Sequence, residues 1–551
     1  MWKAVREGGF FCSSYKTFPV FYRFLYVIKH HKFKIMKIKI LWADDEIDLL
    51  KPHIIFLENK GYEVIPVVSG SEAVDVIKNN HIDIVFLDEN MPGLNGIETA
   101  KRIKTINQNI PVVMITKSEE EHIMDDAIGS NIADYLIKPV NPKQILLSLK
   151  KNLDNTKIIS EKKTIDYHQA FRDISMRISD RLTAQEWADL YKELVYWEIE
   201  LEKIEDTGVN DILSAQKEEA NTQFAKFIIS HYIDFIGGKE ADKPTFSHTL
   251  LKERLFPHIG NDRPMFLFVV DNLRFDQWKV LQPFLHNYFY VEEESVFYSI
   301  LPTATHYARN ALFSGLMPSE IEKKYPQLWL NENDEGGKNQ YEQELLTEYL
   351  KRHGKNVRFS YSKILNPEFG KKVFDNFHQM LQNPLNVIIF NFVDMLSHAR
   401  TEVDIIRELA QDEKSYRSVT ASWFENSLMF EMLKYLSAKK IPVCITTDHG
   451  TIKINRPLKV VGEKNINSNL RYKVGRNIDY PAKDVFEIKN PEKAFLPKET
   501  MTSQYIFATG NDFFAYPNNY NYYANYYKNT FQHGGISMEE MLVPFVRLTP
   551  R

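Results

Sequence analysis

Short apolar runs alternate with longer amphipathic stretches over residues 37–153. The runs have the length of buried strands, and the stretches between them carry apolar residues at helical spacing. This alternation predicts a five-stranded parallel α/β sheet, in which functional side chains gather at the carboxyl ends of the strands. The predicted strands are Ile38–Trp42, Val64–Val68, Ile82–Leu87, Val112–Thr116 and Tyr135–Ile137.

Residues 155–240 show helical patterns. Thr183 and Glu186 form a capping-box signature, which predicts the start of a helix. Gly208 is predicted to end this helix. The apolar residues of this helix recur at heptad-like spacing. Such spacing is compatible with a three-helix bundle that has its own core and with a dimerisation coiled coil, and the bundle is the preferred interpretation. Apolar residues recur in that helix at Trp187, Leu190, Leu194, Trp197, Leu201 and Ile204.

Strands and helices alternate again from about Phe266 to Arg551. The segments FLFVVD, NVIIFNFVD and VCITTD are predicted strands that each end on an aspartate, namely Asp271, Asp394 and Asp448. Three buried strands that deliver carboxylates to one edge of a sheet suit cation binding. A second α/β domain with a metal site is therefore expected.

The composition is that of a soluble globular protein of more than one domain. The chain has 551 residues, of which 44% are hydrophobic and 26% charged. A net charge of -4 gives no general basic field for nucleic acid, so such a partner would need a local site. Cys12 and Cys444 alone provide neither a disulfide framework nor a thiolate metal cluster, and they fit a reducing cytoplasm.

The first 35 residues differ from the rest. Phe18–Ile28 is apolar but is interrupted by Arg23, and it is shorter than the roughly 20 residues of a membrane span. The folded pattern begins directly after Met36. We therefore expect no membrane span and a non-native or disordered extension at 1–35. Domains are predicted at 36–154, 155–240 and 241–551.

Polar side chains follow the strands of the first sheet. The carboxylates of Asp44, Asp45 and Asp88, with Asn90, can hold Mg²⁺, which prefers oxygen ligands. The metal would neutralise charge while Asp88 attacks a phosphoryl donor. Three further side chains complete the set, namely Thr116, Tyr135 and Lys138.

These positions, with the motif D-x-N-M-P-G-x-x-G that starts at Asp88, resemble the receiver domain of two-component response regulators. The resemblance implies a flavodoxin-like fold and phosphorylation of Asp88 by a histidine kinase partner. It also implies that Thr116, Tyr135 and Lys138 form the switch.

The second α/β domain carries mixed Asp, His and Thr side chains without cysteine, which suits Zn²⁺ or Mn²⁺ at a hydrolytic centre. Seven ligands are too many for one tetrahedral ion and suit two ions, which can clamp the entering and leaving oxygens of a phosphoryl transfer. The hydroxyl of Thr305 lies at the start of a predicted helix that runs to Gly315. The candidates are Asp271, Thr305, Asp394, His398, Asp448, His449 and His533.

These motifs resemble the PglZ branch of the alkaline phosphatase superfamily. The resemblance implies two Zn²⁺ ions and Thr305 as the nucleophile. It assigns one ion to Asp271, Thr305, Asp448 and His449, and the other to Asp394, His398 and His533. No arginine stands out in the sequence as a phosphate clamp.

Tyrosines are dense between Tyr516 and Phe531, just before His533. Aromatic side chains beside a metal site can stack on bases, and Tyr522 and Tyr526 are the candidates for this role. They can equally pack as a lid or wall, and the sequence leaves both interpretations open.

The combination of a receiver with a PglZ-type output resembles the PorX family of Bacteroidota response regulators over almost the whole chain from Met36. The resemblance implies a phosphorylation-promoted homodimer and a zinc phosphodiesterase that cleaves cyclic and linear oligonucleotides, linked to type IX secretion. The alternative is a signalling adaptor whose metal domain docks a sigma factor or a secretion component. Direct promoter binding is the weakest interpretation, since no helix-turn-helix is evident.

Overall fold

The computed structural model describes residues 38–551 except 81, 108–109, 118–131, 154, 204–206, 241, 261–262, 403–407, 463–466 and 499. The expectations for residues 1–35, for Phe18–Ile28 and for Met36 as the start lie outside the described residues, as does Ile204. The chain divides into two compact units between Ile165 and Asp166. Among the described helices, none is long and apolar enough to cross a lipid bilayer.

The first unit contains the predicted five-stranded parallel sheet, in the order β2-β1-β3-β4-β5. Its strands are β1 Lys39–Ala43, β2 Glu63–Val67, β3 Ile84–Asp88, β4 Val112–Thr116 and β5 Asp134–Ile137. Strands β3 and β4 are buried along their whole length, and an apolar cluster packs on each face of the sheet. The helices here are α1 Lys51–Asn59, α2 Gly70–Asn79, α3 Gly96–Ile106 and α4 Pro142–Leu153. The doubly wound fold is confirmed.

Three helices follow, namely α5 Asn155–Ile178, α6 Ala184–Leu201 and α7 Thr207–Ile236. The capping box of Thr183 and Glu186 is confirmed at the start of α6. The prediction that Gly208 ends this helix is wrong, because α6 ends at Leu201 and Gly208 lies in the first turn of α7.

The helical bundle is confirmed by contacts among these three helices. The ring of Tyr167 on α5 lies 5.4 Å from that of Trp197 on α6, and its hydroxyl donates to Gln216 on α7 at 3.2 Å. Trp187 on α6 packs 5.5 Å from Phe224 on α7. The heptad-spaced side chains from Trp187 to Leu201 are buried within the chain, as a bundle requires.

The core of the remaining chain is a six-stranded sheet in the order β7-β18-β10-β6-β9-β8. Strands β10, β6, β9 and β8 are parallel, and β18 pairs antiparallel with β10 and β7. Their bounds are β6 Met265–Val270, β7 Phe289–Tyr298, β8 Phe359–Ile364, β9 Leu385–Phe390, β10 Val443–Thr446 and β18 Leu542–Pro550. Smaller sheets use β11 Ile452–Lys453, β12 Arg456–Lys459, β13 Tyr472–Gly475, β14 Val485–Ile488, β15 Gln504–Ala508, β16 Asp512–Ala515 and β17 Phe531–Gln532.

Helices cover this sheet and complete the α/β domain predicted from the sequence. Their bounds are α8 Ser247–Leu250, α9 Phe275–Leu285, α10 Thr305–Ser314, α11 Pro318–Lys324, α12 Glu342–Arg352, α13 Pro367–Asp375, α14 Phe377–Met380, α15 Phe392–Glu402, α16 Glu413–Glu425, α17 Leu428–Ala438, α18 Tyr520–Tyr527 and α19 Met538–Met541.

One predicted strand end is wrong. The strand that was expected to run to Asp394 stops at Phe390, and Asp394 lies in the first turn of α15. Val393 and Leu396 are buried while Met395 between them is exposed, so the pattern changes to helical spacing after Asn391. A short apolar run does not by itself distinguish the end of a strand from the start of a helix.

Candidate functional site

The receiver residues meet at the carboxyl edge of the first sheet. One carboxylate oxygen from each of Asp44, Asp45 and Asp88 lies within 4.8 Å of the others. The Nζ atom of Lys138 lies 2.9 Å from Asp44 and 3.0 Å from Asp88. Asn90 is exposed just beyond Asp88. Burial raises the pKa of Asp88, although Lys138 works against it.

The sequence did not predict that the side chain of Glu89 contacts Thr116. The hydroxyl of Thr116, at the end of β4, donates a hydrogen bond to the Glu89 carboxylate. Tyr135 packs against the receiver core with its hydroxyl buried. In this structure the threonine of the predicted switch is therefore bound to a carboxylate next to Asp88, the predicted phosphorylation site.

The first candidate metal group lies at the carboxyl edge of the six-stranded sheet. One ligand atom each from Asp271, Asp448 and His449 lies within 4.8 Å of the others, and all three residues are buried. Asp271 directly follows β6, and Asp448 and His449 follow β10. The Oγ atom of Thr305, the first residue of α10, lies 3.1 Å from His449 Nε2 and 3.3 Å from Asp271 Oδ1.

The loop that carries Asp448 and His449 packs closely against a neighbouring backbone segment at Gly450. A Cβ atom built at Gly450 would lie 2.0 Å from the carbonyl oxygen of Glu539, so no larger residue fits. The backbone N–H of Gly450 donates to Glu540 O at 3.0 Å, which holds the loop against the chain before β18.

The second candidate group combines Asp394, His398 and His533, whose ligand atoms also lie within 4.8 Å of one another. Asp394 and His398 are one turn apart on α15, and His533 follows β17. The His533 ring is stacked on that of His449, with centroids 4.3 Å apart, so the two groups are adjacent. The structure thus brings together all seven residues singled out from the sequence, including Thr305.

The rings of His449 and His533 are oriented by the backbone. His449 Nδ1 lies 3.1 Å from Gly450 O, and His533 Nδ1 lies 3.2 Å from Thr303 O. A protonated Nδ1 donating to a carbonyl leaves the Nε2 lone pair free for a metal, which is the usual arrangement around protein metal ligands.

The charge at this site favours bound cations. Burial and then the charge of Asp271 raise the pKa of Asp394 to about 6, and the same two causes raise the pKa of Asp448. Among the described residues, Asp394 Oδ1 and Asp448 Oδ2 are buried with no hydrogen-bond partner. Buried carboxylate oxygens are costly without a partner, and Asp/His groups of this kind fit transition-metal ions.

Arg309 is the main residue of this site that sequence reasoning missed. It lies four residues after Thr305 on α10, is completely buried, and brings Nη1 to 2.7 Å from Asp271 Oδ2. The sequence signal was its spacing of one helical turn from the predicted nucleophile. Arg309 contacts the Oδ2 atom of Asp271, whose Oδ1 atom faces Thr305, and its side chain is not exposed to solvent.

The tyrosine-rich segment forms α18. Tyr522 is 64% exposed, and its ring stacks on that of Tyr526 with centroids 6.0 Å apart. Tyr520 and Tyr527 pack instead against an apolar cluster that includes Ile452. The helix therefore presents exposed rings on one side and a packed wall on the other.

Three family models match the chain in order. The response regulator receiver domain matches residues 40–150, the PorX response regulator linker domain matches 157–236, and the BREX system PglZ alkaline phosphatase-like domain matches 250–548. The last match covers more than half of the chain.

Curated relatives resemble the first domain. The response regulators SaeR of Staphylococcus aureus strains USA300 and N315 are 33% identical over 118 residues, which are 21% of this chain and 51% of theirs. The match thus spans about half the length of these relatives. A CheY-like receiver domain protein of Methanospirillum hungatei JF-1 is 25% identical and a receiver domain protein of Clostridium thermocellum is 29% identical. Each match covers 22% of this chain and has a TM-score of 0.21. The match covers 96% of the Methanospirillum chain and 98% of the Clostridium chain.

The fold and the sites define a response regulator whose receiver domain is followed by an alkaline phosphatase-like domain. The chain belongs to the PorX-like response regulators with a PglZ output domain.

Proposed function

We propose that the output domain is a two-zinc phosphodiesterase. One ion would be held by Asp271, Thr305, Asp448 and His449, and the other by Asp394, His398 and His533. When bound, the ions would supply positive charge for the reacting phosphoryl group and lower the pKa of the threonine hydroxyl. The observation that carries the proposal is the adjacency of the two ligand groups, joined by the stacked rings of His449 and His533.

Thr305 is the proposed nucleophile. Its half-buried hydroxyl faces both Asp271 and His449, and it is the first residue of α10. The start of a helix favours an anion, so a phosphoryl group bound at Thr305 would be stabilised by backbone N–H groups. The deprotonated Thr305 oxygen would attack phosphorus and displace one alcohol, which leaves with a proton, to give a threonine phosphodiester that still carries the second alcohol. Water would then hydrolyse the bond between phosphorus and the Thr305 oxygen, releasing the monoester and restoring the hydroxyl.

The proposed substrates are cyclic and linear oligonucleotides. The exposed ring of Tyr522, which stacks on the half-buried ring of Tyr526, supports this class, because bases stack on aromatic side chains. A diester also needs fewer cations around its phosphate than a monoester. The buried position of Arg309 leaves it unable to clamp a second anionic oxygen.

The proposed control is phosphorylation of Asp88 by a histidine kinase, with Mg²⁺ bound by Asp44, Asp45, Asp88 and Asn90. The grouping of three carboxylates beside Lys138 supports this chemistry. Phosphorylation would promote a homodimer of a cytoplasmic protein linked to type IX secretion, with a sigma factor or secretion component as a further partner.

The test uses the full chain stripped of metal and then reloaded with zinc. Hydrolysis of bis-p-nitrophenyl phosphate should require zinc and should be lost in Asp271→Asn. Asp479→Asn, which changes a carboxylate outside both ligand groups, is the matched control. A zinc-loaded chain that binds oligonucleotide without cleaving any ester would instead favour the adaptor interpretation.

A further inference from the structure

Arg309 occupies the space behind the first metal group. Its Nη1 atom lies 2.7 Å from Asp271 Oδ2 and 3.9 Å from Asp448 Oδ2, and its Nε donates to Glu342 Oε1 at 2.6 Å. All four side chains are almost entirely excluded from solvent. A single guanidinium thus separates two candidate ligand carboxylates from a third carboxylate that is not a ligand.

The contact with Arg309 makes the two carboxylate oxygens of Asp271 differ in their surroundings. Oδ2 is bound by Arg309, whereas Oδ1 faces the site, 3.3 Å from Thr305 Oγ and 3.8 Å from His449 Nε2. With the guanidinium in place, Asp271 can offer one oxygen to a metal ion. If the guanidinium were removed, the carboxylate could rotate and offer both.

Glu342 holds Arg309 from the opposite side. It is the first residue of α12, and its carboxylate also accepts the Tyr361 hydroxyl and lies 3.6 Å from Lys363 Nζ on β8. The charge of Glu342 offsets part of the charge of Arg309. The pair therefore adjusts how much positive potential reaches Asp271, and charges a few ångströms apart in a buried site interact strongly.

We propose that Arg309 is a positioning residue that keeps Asp271 a one-oxygen ligand and acts as a fixed counter-charge, weakening zinc binding at this group and leaving the bound ion more electrophilic toward Thr305. The assignment rests on the proposed function in taking Asp271, Asp448 and His449 as zinc ligands. Glu342 acts in the opposite direction by partly neutralising Arg309.

The experiment compares the zinc affinity of Arg309→Met and Glu342→Gln by chelator competition in the full chain. Arg309→Met removes a positive charge and frees Asp271 Oδ2, so zinc should bind about tenfold tighter or more while kcat falls. Glu342→Gln removes a negative charge, so zinc should bind more weakly. Arg309→Lys keeps the charge but not the paired geometry, and it should retain zinc affinity near wild type with reduced kcat.

Buried ion pairs are often only structural, and that alternative gives a different result. General loss of packing would weaken zinc binding in both Arg309→Met and Glu342→Gln, which would overturn the proposal. Arg417→Met removes another buried, carboxylate-paired arginine, and it should lower the melting temperature without changing zinc affinity. A wild-type chain that binds zinc without hydrolysing esters would refute the proposed function, whereas opposite shifts in the two variants would still support the role of Arg309.

Discussion

The guanidinium of Arg417 on α16 donates to the carboxylate of Glu202, the residue after helix α6. Arg417 also lies 3.3 Å from Glu198 and contacts Asp276 on α9. Asp276 is in turn bound by Arg274, three residues after Asp271. A buried ion network therefore joins the linker helices to the segment that follows Asp271, a residue of the first candidate metal group.

Glu202 gives this network a pH dependence. Burial raises the pKa of Glu202 from 4.5 to about 7, although Arg417 works against it. The folded state thus keeps a proton that the unfolded chain loses, and stability falls as the pH rises from 4.5 to 7. Glu202→Gln should raise the melting temperature by about 2 °C at pH 8 and change it little at pH 5. An equal or lower melting temperature of the variant at pH 8 would contradict this assignment.

The metal content distinguishes two sites from one. Elemental analysis of the zinc-loaded chain should find about two ions, the stoichiometry of a two-metal centre. His398→Ala should reduce this to about one, and because His398 is 60% exposed its loss should not disturb the fold. Removal of both ions by a chelator should lower the melting temperature, since ions bound to the folded state stabilise it. One ion per wild-type chain would refute the two-metal assignment.

The proposed nucleophile, Thr305, can be tested with a nearly isosteric change. Thr305→Val removes the hydroxyl that faces Asp271 and His449, so diester hydrolysis should fall by at least about a thousandfold. Thr305→Ser keeps a hydroxyl and should retain measurable turnover. Both variants should keep the carboxylate and imidazole ligands and bind zinc. Turnover near wild type in the valine variant would rule out a covalent Thr305 intermediate.

Much of the site was predictable because parallel strands expose their carboxyl ends at one edge. Asp88, Asp271 and Asp448 follow buried apolar runs in the sequence, and the structure brings them to those edges. The ligand groups themselves could be assigned before the fold was seen only through family resemblance. Spacing alone does not bring His533 next to His449, which is 84 residues earlier in the chain by their numbers.

Other features depend on contacts that no local pattern encodes. Arg309 and Glu342 pair across 33 positions in a completely buried space. The spacing from Thr305 indicates the helix face of Arg309, but no local pattern predicts its pairing with Glu342. Asp394 was expected at the end of a strand, because the apolar run before it gives no sign that the strand stops at Phe390. The Glu89–Thr116 contact likewise arises only when β3 and β4 pair.

The proposed phosphorylation of Asp88 gives a prediction for the oligomeric state. Asp88→Asn preserves the shape of the side chain but removes the carboxylate beside Lys138 that is proposed to accept the phosphoryl group. Acetyl phosphate with Mg²⁺ should shift the wild-type chain to a dimer in light scattering, and it should leave this variant unchanged. Asp75→Asn changes an exposed carboxylate on α2 and should behave as wild type. A dimer of Asp88→Asn after acetyl phosphate treatment would place the modification elsewhere.

The last prediction concerns the substrate. Wild type should hydrolyse bis-p-nitrophenyl phosphate faster than p-nitrophenyl phosphate, because Arg309 is buried against Asp271 and is not available to a second anionic oxygen. Faster turnover of the monoester would refute the diesterase proposal.

Variants of Tyr522 and Tyr526 then test whether the site binds nucleotide diesters better than simple diesters. Stacking contributes roughly 1–3 kcal/mol per base, so Tyr522→Ala and Tyr526→Ala should each raise the KM for a short oligonucleotide by about fivefold or more. The KM for bis-p-nitrophenyl phosphate should change less. Tyr290→Ala removes a ring that is 57% exposed on β7 and serves as the control. Unchanged oligonucleotide kinetics in both α18 variants would mean that this helix is a wall and that the bases bind elsewhere.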